Sequence, residues 1–149
     1  MGSVLGDVSP ARAVADRMAA AARAWLDSLD AAQRAVAVGA VPADDASDTE
    51  RRRWFYTPTD HGGLTVHAQR PAQQRAAMQL VATGLSTPGY VTVCTVMGLE
   101  NVLDHVEGFA VDWGRERGRD PGLYYLRVFG DPAGPGQRNV GRPDRPPVP

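Results

Sequence analysis

Two groups of polar residues have types and spacings that could do chemistry, and the first is the adjacent pair Asp60 and His61. The pair lies in a stretch dense in turn formers, between Pro58 and Gly63. Loops on a rigid scaffold often carry function, and histidine titrates near neutral pH. Turn chemistry is the simpler interpretation, because an Asx turn and glycines at positive φ explain the same residues. We keep Asp60 and His61 as candidate catalytic residues.

The second group is acidic and consists of Glu100, Asp104 and Glu107. Their spacing of i, i+4 and i+7 places all three carboxylates on one side of a helix. Such a row could contribute oxygen ligands to a hard cation or form an acid–base pair. The favoured interpretation is a solvated face, opposite an apolar stripe that contains Leu99 and Leu103. We therefore predict no metal site.

Motifs of the common enzyme classes do not occur in the chain. Its histidines, at positions 61, 67 and 105, lack the H-E-x-x-H spacing of a helical zinc site. The glycine-rich nucleotide motifs and the G-x-S-x-G nucleophile motif are also missing. The cofactor and the reaction type remain unknown, and whether the protein is an enzyme stays open.

Three consecutive arginines, 51–53, precede the aromatic segment Trp54–Tyr56. Arginine and aromatic side chains together can hold unstacked bases of RNA. The favoured alternative is that the acidic run 44–50 neutralises the arginines while the aromatic segment forms a short core strand. The formal net charge of the whole chain is −1. We expect no nucleic-acid binding, because no segment carries the required excess of positive charge.

Capping residues predict where the helices begin. Ser9 and Pro10 suit the N-cap and first position of a helix that continues to about residue 29. Asp30 and Gln33 form a capping-box pattern, which predicts a second helix ending by residue 39. Pro71 begins a third helix that ends near residue 84.

Local preference and longer periodicity disagree over residues 90–106. The β-branched residues of 90–97 favour a strand, whereas the apolar spacing continues as a helical stripe. We predict a helix, with a strand at 90–96 followed by a helix at 98–107 as the alternative. Cys94 lies in this apolar run and is predicted to be buried. A single thiol fits a reducing compartment.

The predicted fold is a mainly helical α+β domain with three to four helices and one or two short strands. Leu123–Phe129 gives the clearest strand pattern, and Trp54–Tyr56 is the second candidate. The domain is predicted to span 9–132, after a flexible N-terminus at 1–8. Residues 133–149 are rich in Gly, Pro and Arg and poor in large apolar residues, so disorder is predicted there.

Four segments, at 51–64, 71–90, 97–108 and 118–132, occur in the order and spacing of a known family. Together they resemble domain-of-unknown-function family 3500, an uncharacterised family. The resemblance implies longer members that continue into a tryptophan-rich stretch with paired histidines, which has no counterpart here. We therefore expect only the N-terminal portion of the family domain, with a truncated or frameshifted C-terminus. The resemblance brings no catalytic residue with it.

Two main hypotheses about function follow. In the first, the chain is an incomplete family member without activity alone, and it is part of a hydrolase-like or metal-dependent enzyme. Asp60, His61 and Arg127 are its candidate residues. In the second, the chain is a non-catalytic binding or assembly module that self-associates or binds a partner through the aromatic segment Trp54–Tyr56 and an exposed terminal strand, Leu123–Phe129. A poorly folding product is a third interpretation. A cytoplasmic location is predicted, because no signal peptide and no membrane-spanning stretch is evident.

Overall fold

The computed structural model describes residues 9–43, 49–53, 60–109 and 118–132. The elements in chain order are α1 (Pro10–Asp27), α2 (Ala31–Ala37), β1 (Val38–Gly39), α3 (Thr49–Arg52), β2 (Leu64–Thr65), α4 (Pro71–Thr83), α5 (Thr87–Val106), a 3₁₀ turn (Pro121–Leu123), β3 (Tyr125–Leu126) and β4 (Val128–Phe129). The predicted α+β, mainly helical class is confirmed. The helix count differs from the prediction by the four-residue α3.

The predicted helix starts are confirmed by the capping bonds. The Ser9 hydroxyl accepts a hydrogen bond from the Arg12 amide at 3.4 Å, and Pro10 is the first residue of α1. At α2 the Gln33 amide donates to Asp30 Oδ1 at 2.9 Å, and the Asp30 amide donates to Gln33 Oε1 at 3.1 Å. Local rules therefore fixed these boundaries correctly, because each cap depends only on residues three positions apart.

The segment with conflicting signals forms one continuous helix, α5. The Ser86 hydroxyl caps it by accepting from the Gly89 amide at 3.2 Å, and no strand interrupts the β-branched run. The buried position predicted for Cys94 is wrong, since its side chain is exposed. The less exposed row of α5 runs through residues 93, 97, 100 and 104, and Cys94 lies off that row.

The single strand predicted at Leu123–Phe129 is divided. The 3₁₀ turn takes its first residue, and β3 and β4 then join different partners. β3 pairs antiparallel with β2, with Leu126 opposite Leu64, and β4 pairs parallel with β1, with Val128 opposite Val38. The chain changes partner at the residue between the two strands, which ends each ladder after two residues. The strand predicted at 54–56 and the termini 1–8 and 133–149 lie outside the described residues.

Packing of α1 against α4 forms the core of the described residues. The buried apolar residues are Ala22, Trp25, Leu26, Ala37, Leu64, Ala77 and Leu80. Small alanines on both helices let the backbones approach, and Trp25, with 0% exposure, fills the space between them.

Buried glutamines supply the polar partners that this core needs. The Trp25 indole Nε1 donates to Gln69 Oε1 at 2.9 Å. Gln73, which is 2% exposed, exchanges amide hydrogen bonds with Gln33 at 2.8 and 3.1 Å and also donates to the Ser28 carbonyl at 2.7 Å. The network therefore joins the α1–α2 connection to the start of α4 at a point closed to water.

We predict that Trp25→Phe destabilises the fold by about 1–3 kcal/mol, because it leaves the buried side-chain oxygen of Gln69, Oε1, without its donor. Urea unfolding followed by circular dichroism measures the change. Val36→Ala is the control, since Val36 is half exposed and its truncation should cost less than about 0.5 kcal/mol. Equal losses in the two variants would show that the indole hydrogen bond contributes nothing.

Candidate functional site

A cleft of about 180 Å³ lies between α3, the turn at 60–63 and residues 127–129, which include β4. We call it the Arg127 cleft. It is lined by Glu50, Arg51, Arg53, His61, Gly62, Arg127 and Phe129. Two of the three residues proposed from the sequence, His61 and Arg127, are thus brought to one place.

The turn that carries His61 is built as its sequence predicts. Asp60 Oδ1 accepts the Gly62 amide at 2.9 Å, which is an Asx turn. Gly62 and Gly63 have φ of +84° and +105°, a region that other residues rarely adopt. Asp60 therefore shapes the turn while its neighbour lines the cleft, and Asp60 is not among the lining residues.

Arg127 lies at the centre of the cleft's contacts. Its Nη1 forms an ion pair with Glu50 Oε1 at 2.5 Å, and its guanidinium carbon lies 5.6 Å from the centroid of the Phe129 ring. Arg127 Nε is buried and has no hydrogen-bond partner. Two glycines provide the space, because a Cβ on Gly39 would lie 3.2 Å from Nε and one on Gly62 would lie 2.6 Å from Nη1.

The lining of the Arg127 cleft is predominantly basic. Among its described residues are three arginines, one histidine and one carboxylate, that of Glu50. Sequence reasoning missed Glu50 because it ends the acidic run 44–50, which was expected only to neutralise the neighbouring arginines. The only available signal was its position beside the arginine triplet, and nothing local indicated a partner 77 positions away.

Two members of the acidic row on α5, Glu100 and Asp104, pack against the chain, contrary to the predicted solvated face, whereas Glu107 is exposed. Glu100 accepts the Tyr124 hydroxyl at 3.0 Å, Asp104 is 2% exposed, and Glu107 accepts two bonds from the Arg119 guanidinium at 3.0 Å each. The reason is that residues 118–124 present a guanidinium and a phenol to this side of the helix. No group of three or more potential metal ligands occurs among the described residues.

These contacts shift the pKa values of Glu107 and Tyr124. Hydrogen bonds from Arg119 hold the pKa of Glu107 below its ordinary value. Burial, and then the hydrogen bond to the Glu100 carboxylate, raises the pKa of Tyr124, so its phenol stays protonated and donates. The acidic row is therefore occupied in holding the 118–124 segment against α5.

The apolar stripe of α5 points away from the rest of the described chain. We call this surface the α5 outer face. It consists of Val91, Thr92, Thr95, Val96, Leu99, Val102, Leu103 and Val106. Leu99 is 47% and Val106 72% exposed, so this stripe does not pack into the core. Both threonine hydroxyls donate to helix carbonyls, at 3.0 and 2.9 Å, which leaves the face effectively apolar.

Sequence reasoning also missed a contact between a histidine and a carboxylate. His67 Nε2 lies 3.0 Å from Asp120 Oδ1, and the same oxygen accepts the Gly122 amide at 2.6 Å. A Cβ on Gly122 would lie 2.4 Å from the His67 ring, so the close approach requires glycine. The group joins the loop after β2 to the 3₁₀ turn.

Fold and site together define a mainly helical α+β domain with a small basic cleft and an uncovered apolar helix face. The chain belongs to the family described as "Protein of unknown function (DUF3500)", whose model matches residues 11–138. The family membership predicted from four sequence segments is therefore confirmed. Comparison with curated proteins and with solved structures found no significant match. Within the described residues, no helix has the length and hydrophobicity needed to cross a bilayer.

We predict that the contact between Glu107 and Arg119 weakens in acid. The pKa of Glu107 is lowered in the folded state. Its contribution to folding stability is therefore complete above the ordinary glutamate pKa of about 4.3, and it is lost as the pH falls through the lower folded pKa. Amide shifts of 118–123, followed by NMR, should titrate below about pH 4.3. Glu107→Gln should remove that transition and Asp27→Asn should leave it unchanged. A transition that persists in Glu107→Gln would contradict the assignment.

Proposed function

We propose that this chain is a protein-assembly domain whose docking surface is the α5 outer face. The observation that carries the proposal is the orientation of α5, whose side with Glu100 and Asp104 packs inward and whose apolar side is exposed. Contiguous exposed apolar surface of this kind marks interaction sites in soluble proteins.

The size of the face sets the expected strength of binding. A 20-residue helix is about 30 Å long and about 10 Å wide, so one face offers roughly 300 Å² per chain. Two such faces give less than the ~1,000 Å² of a typical stable interface. We therefore expect weak association, with a Kd in the micromolar range or above. Leu85 and Phe109, which are also exposed, would strengthen it if they extended the contact.

The proposed occupant is a second copy of this chain. The face carries no charged residue, so it does not require a partner with complementary charge. Its spacing is nearly symmetric about Leu99, because an antiparallel pair that crosses there would place Val96 opposite Val102. Thr92 and Thr95 would then lie opposite Val106 and Leu103. Gly98, close to that centre, has nothing within 4 Å of a built Cβ, which favours close approach. Antiparallel helix dipoles also attract one another.

Assembly through the terminal strand has less support than assembly through α5. β3 and β4 are already paired with β2 and β1, and the residue between them is ion-paired with Glu50. An edge strand recruits a partner by offering unpaired backbone groups. Two-residue strands offer few of them, whereas α5 offers a face of more than three helical turns.

A second candidate function is an incomplete enzyme, and one observation favours it. His61 and Arg127, proposed independently from the sequence, line the same cleft. Under this alternative further polypeptide of the same enzyme covers the α5 outer face. The isolated chain would then be monomeric and inactive.

The test of self-association is light scattering coupled to size-exclusion chromatography, from low micromolar to near-millimolar concentration. We expect a concentration-dependent dimer for the wild type. Leu99→Glu should shift it to monomer, because a charge buried in an apolar interface costs several kcal/mol. Asn101→Glu is the matched control, since Asn101 is exposed on the same helix but off the face, and it should leave the dimer intact.

Two results would contradict the proposal. A wild-type chain that stays monomeric at the highest concentration would overturn self-association and favour the incomplete enzyme. A Leu99→Glu variant that dimerises as strongly as the wild type would place the interface elsewhere. Circular dichroism of each variant shows whether the fold is kept.

A further inference from the structure

We infer that the Arg127 cleft is a binding site for a small oxyanion, the carboxylate or phosphate group of a ligand. The described residues of its lining include three guanidinium groups, the kind of side chain that binds carboxylate and phosphate. The α5 outer face contributes no residue to the cleft, so the inference stands apart from the proposed assembly function.

The hydrogen-bonding state of Arg127 points to an anion as well. Glu50 occupies Nη1, while Nε is buried without a partner. Native structures rarely leave a buried N–H unsatisfied, and each exception calls for an explanation. The edge of a guanidinium formed by Nε and Nη2 is the fork that binds a carboxylate or phosphate through two parallel bonds. A ligand oxygen that reaches this edge after a small local movement would satisfy Nε, which is closed to water in this structure.

Glu50 indicates how such a ligand would be held. Its carboxylate already forms an ion pair with Arg127 inside the cleft, so the site accommodates one carboxylate in this structure. A ligand anion must share Arg127 with Glu50 or displace it. Glu50 is therefore an internal competitor, and removing its charge should strengthen binding.

The volume limits the ligand. Pockets for drug-sized molecules measure about 300–1,000 Å³, whereas this cleft measures about 180 Å³. The cleft therefore suits a single anionic group or a very small molecule. Phe129, whose ring lies beside the guanidinium, gives the cleft one apolar wall.

Titration of ¹⁵N-labelled protein with inorganic phosphate and, separately, with acetate tests the inference by NMR at constant ionic strength. We expect saturable shifts of the Gly62 amide and of the Arg127 Nε signal. Arg127→Lys should weaken binding about tenfold or more, because it keeps the charge but loses the fork. Arg51→Gln should weaken it a few-fold, and Glu50→Gln should strengthen it. Arg75→Gln, an exposed arginine of α4 outside the cleft, is the control and should change nothing.

Each outcome decides the question. Saturation by phosphate alone or by acetate alone supports the site and identifies its class of anion. Absence of saturable shifts with both ions overturns it. Equal affinities in Glu50→Gln, Arg51→Gln and Arg75→Gln would also overturn it, because they would indicate general screening. If Arg127→Lys fails to fold, the opposite changes expected of Glu50→Gln and Arg51→Gln still decide the matter.

Discussion

The hydrogen bond between the Trp25 indole and Gln69 is the constraint on which the rest of the structure depends. A fully buried indole needs an acceptor, and the loop after β2 supplies it. The same loop then pairs with the 3₁₀ turn region, since the Val66 amide donates to the Tyr124 carbonyl at 3.0 Å and the His67 amide to the Gly122 carbonyl at 2.9 Å. That region in turn presents its guanidinium and phenol to α5. The core tryptophan is thus linked, through this loop and the 3₁₀ turn, to the inner side of α5.

Sequence reasoning succeeded where the deciding contact is local. The Asp30 capping box and the Asx turn at Asp60 involve residues two or three positions apart, and both were predicted. It failed on the orientation of α5, because periodicity identifies an apolar stripe but not the neighbour that the helix meets. The exposed Cys94 and the divided strand have the same origin. Each depends on a contact between distant parts of the chain.

The same distinction between local and distant contacts applies to the candidate site. His61 and Arg127 were identified from residue type and from their places in a turn and at the chain's terminal strand, and both line the cleft. Their arrangement depends on Glu50 and on the glycines at 39 and 62, none of which has a local signal for this role. The ion pair joins α3 to the junction of β3 and β4, so it also holds the cleft's two walls together. The residues that could bind a ligand were thus predictable, whereas those that position them were not.

The energetics of α5 support the proposal that its outer face packs against a second polypeptide. On its inner side, the ion pair of Glu107 and Arg119 is partly exposed, so solvent screening weakens it. Burying a half-exposed valine or leucine yields on the order of 1 kcal/mol, and the outer face carries six of them. Burial of that face by a second polypeptide surface would therefore stabilise the orientation of α5, as the proposed assembly function requires.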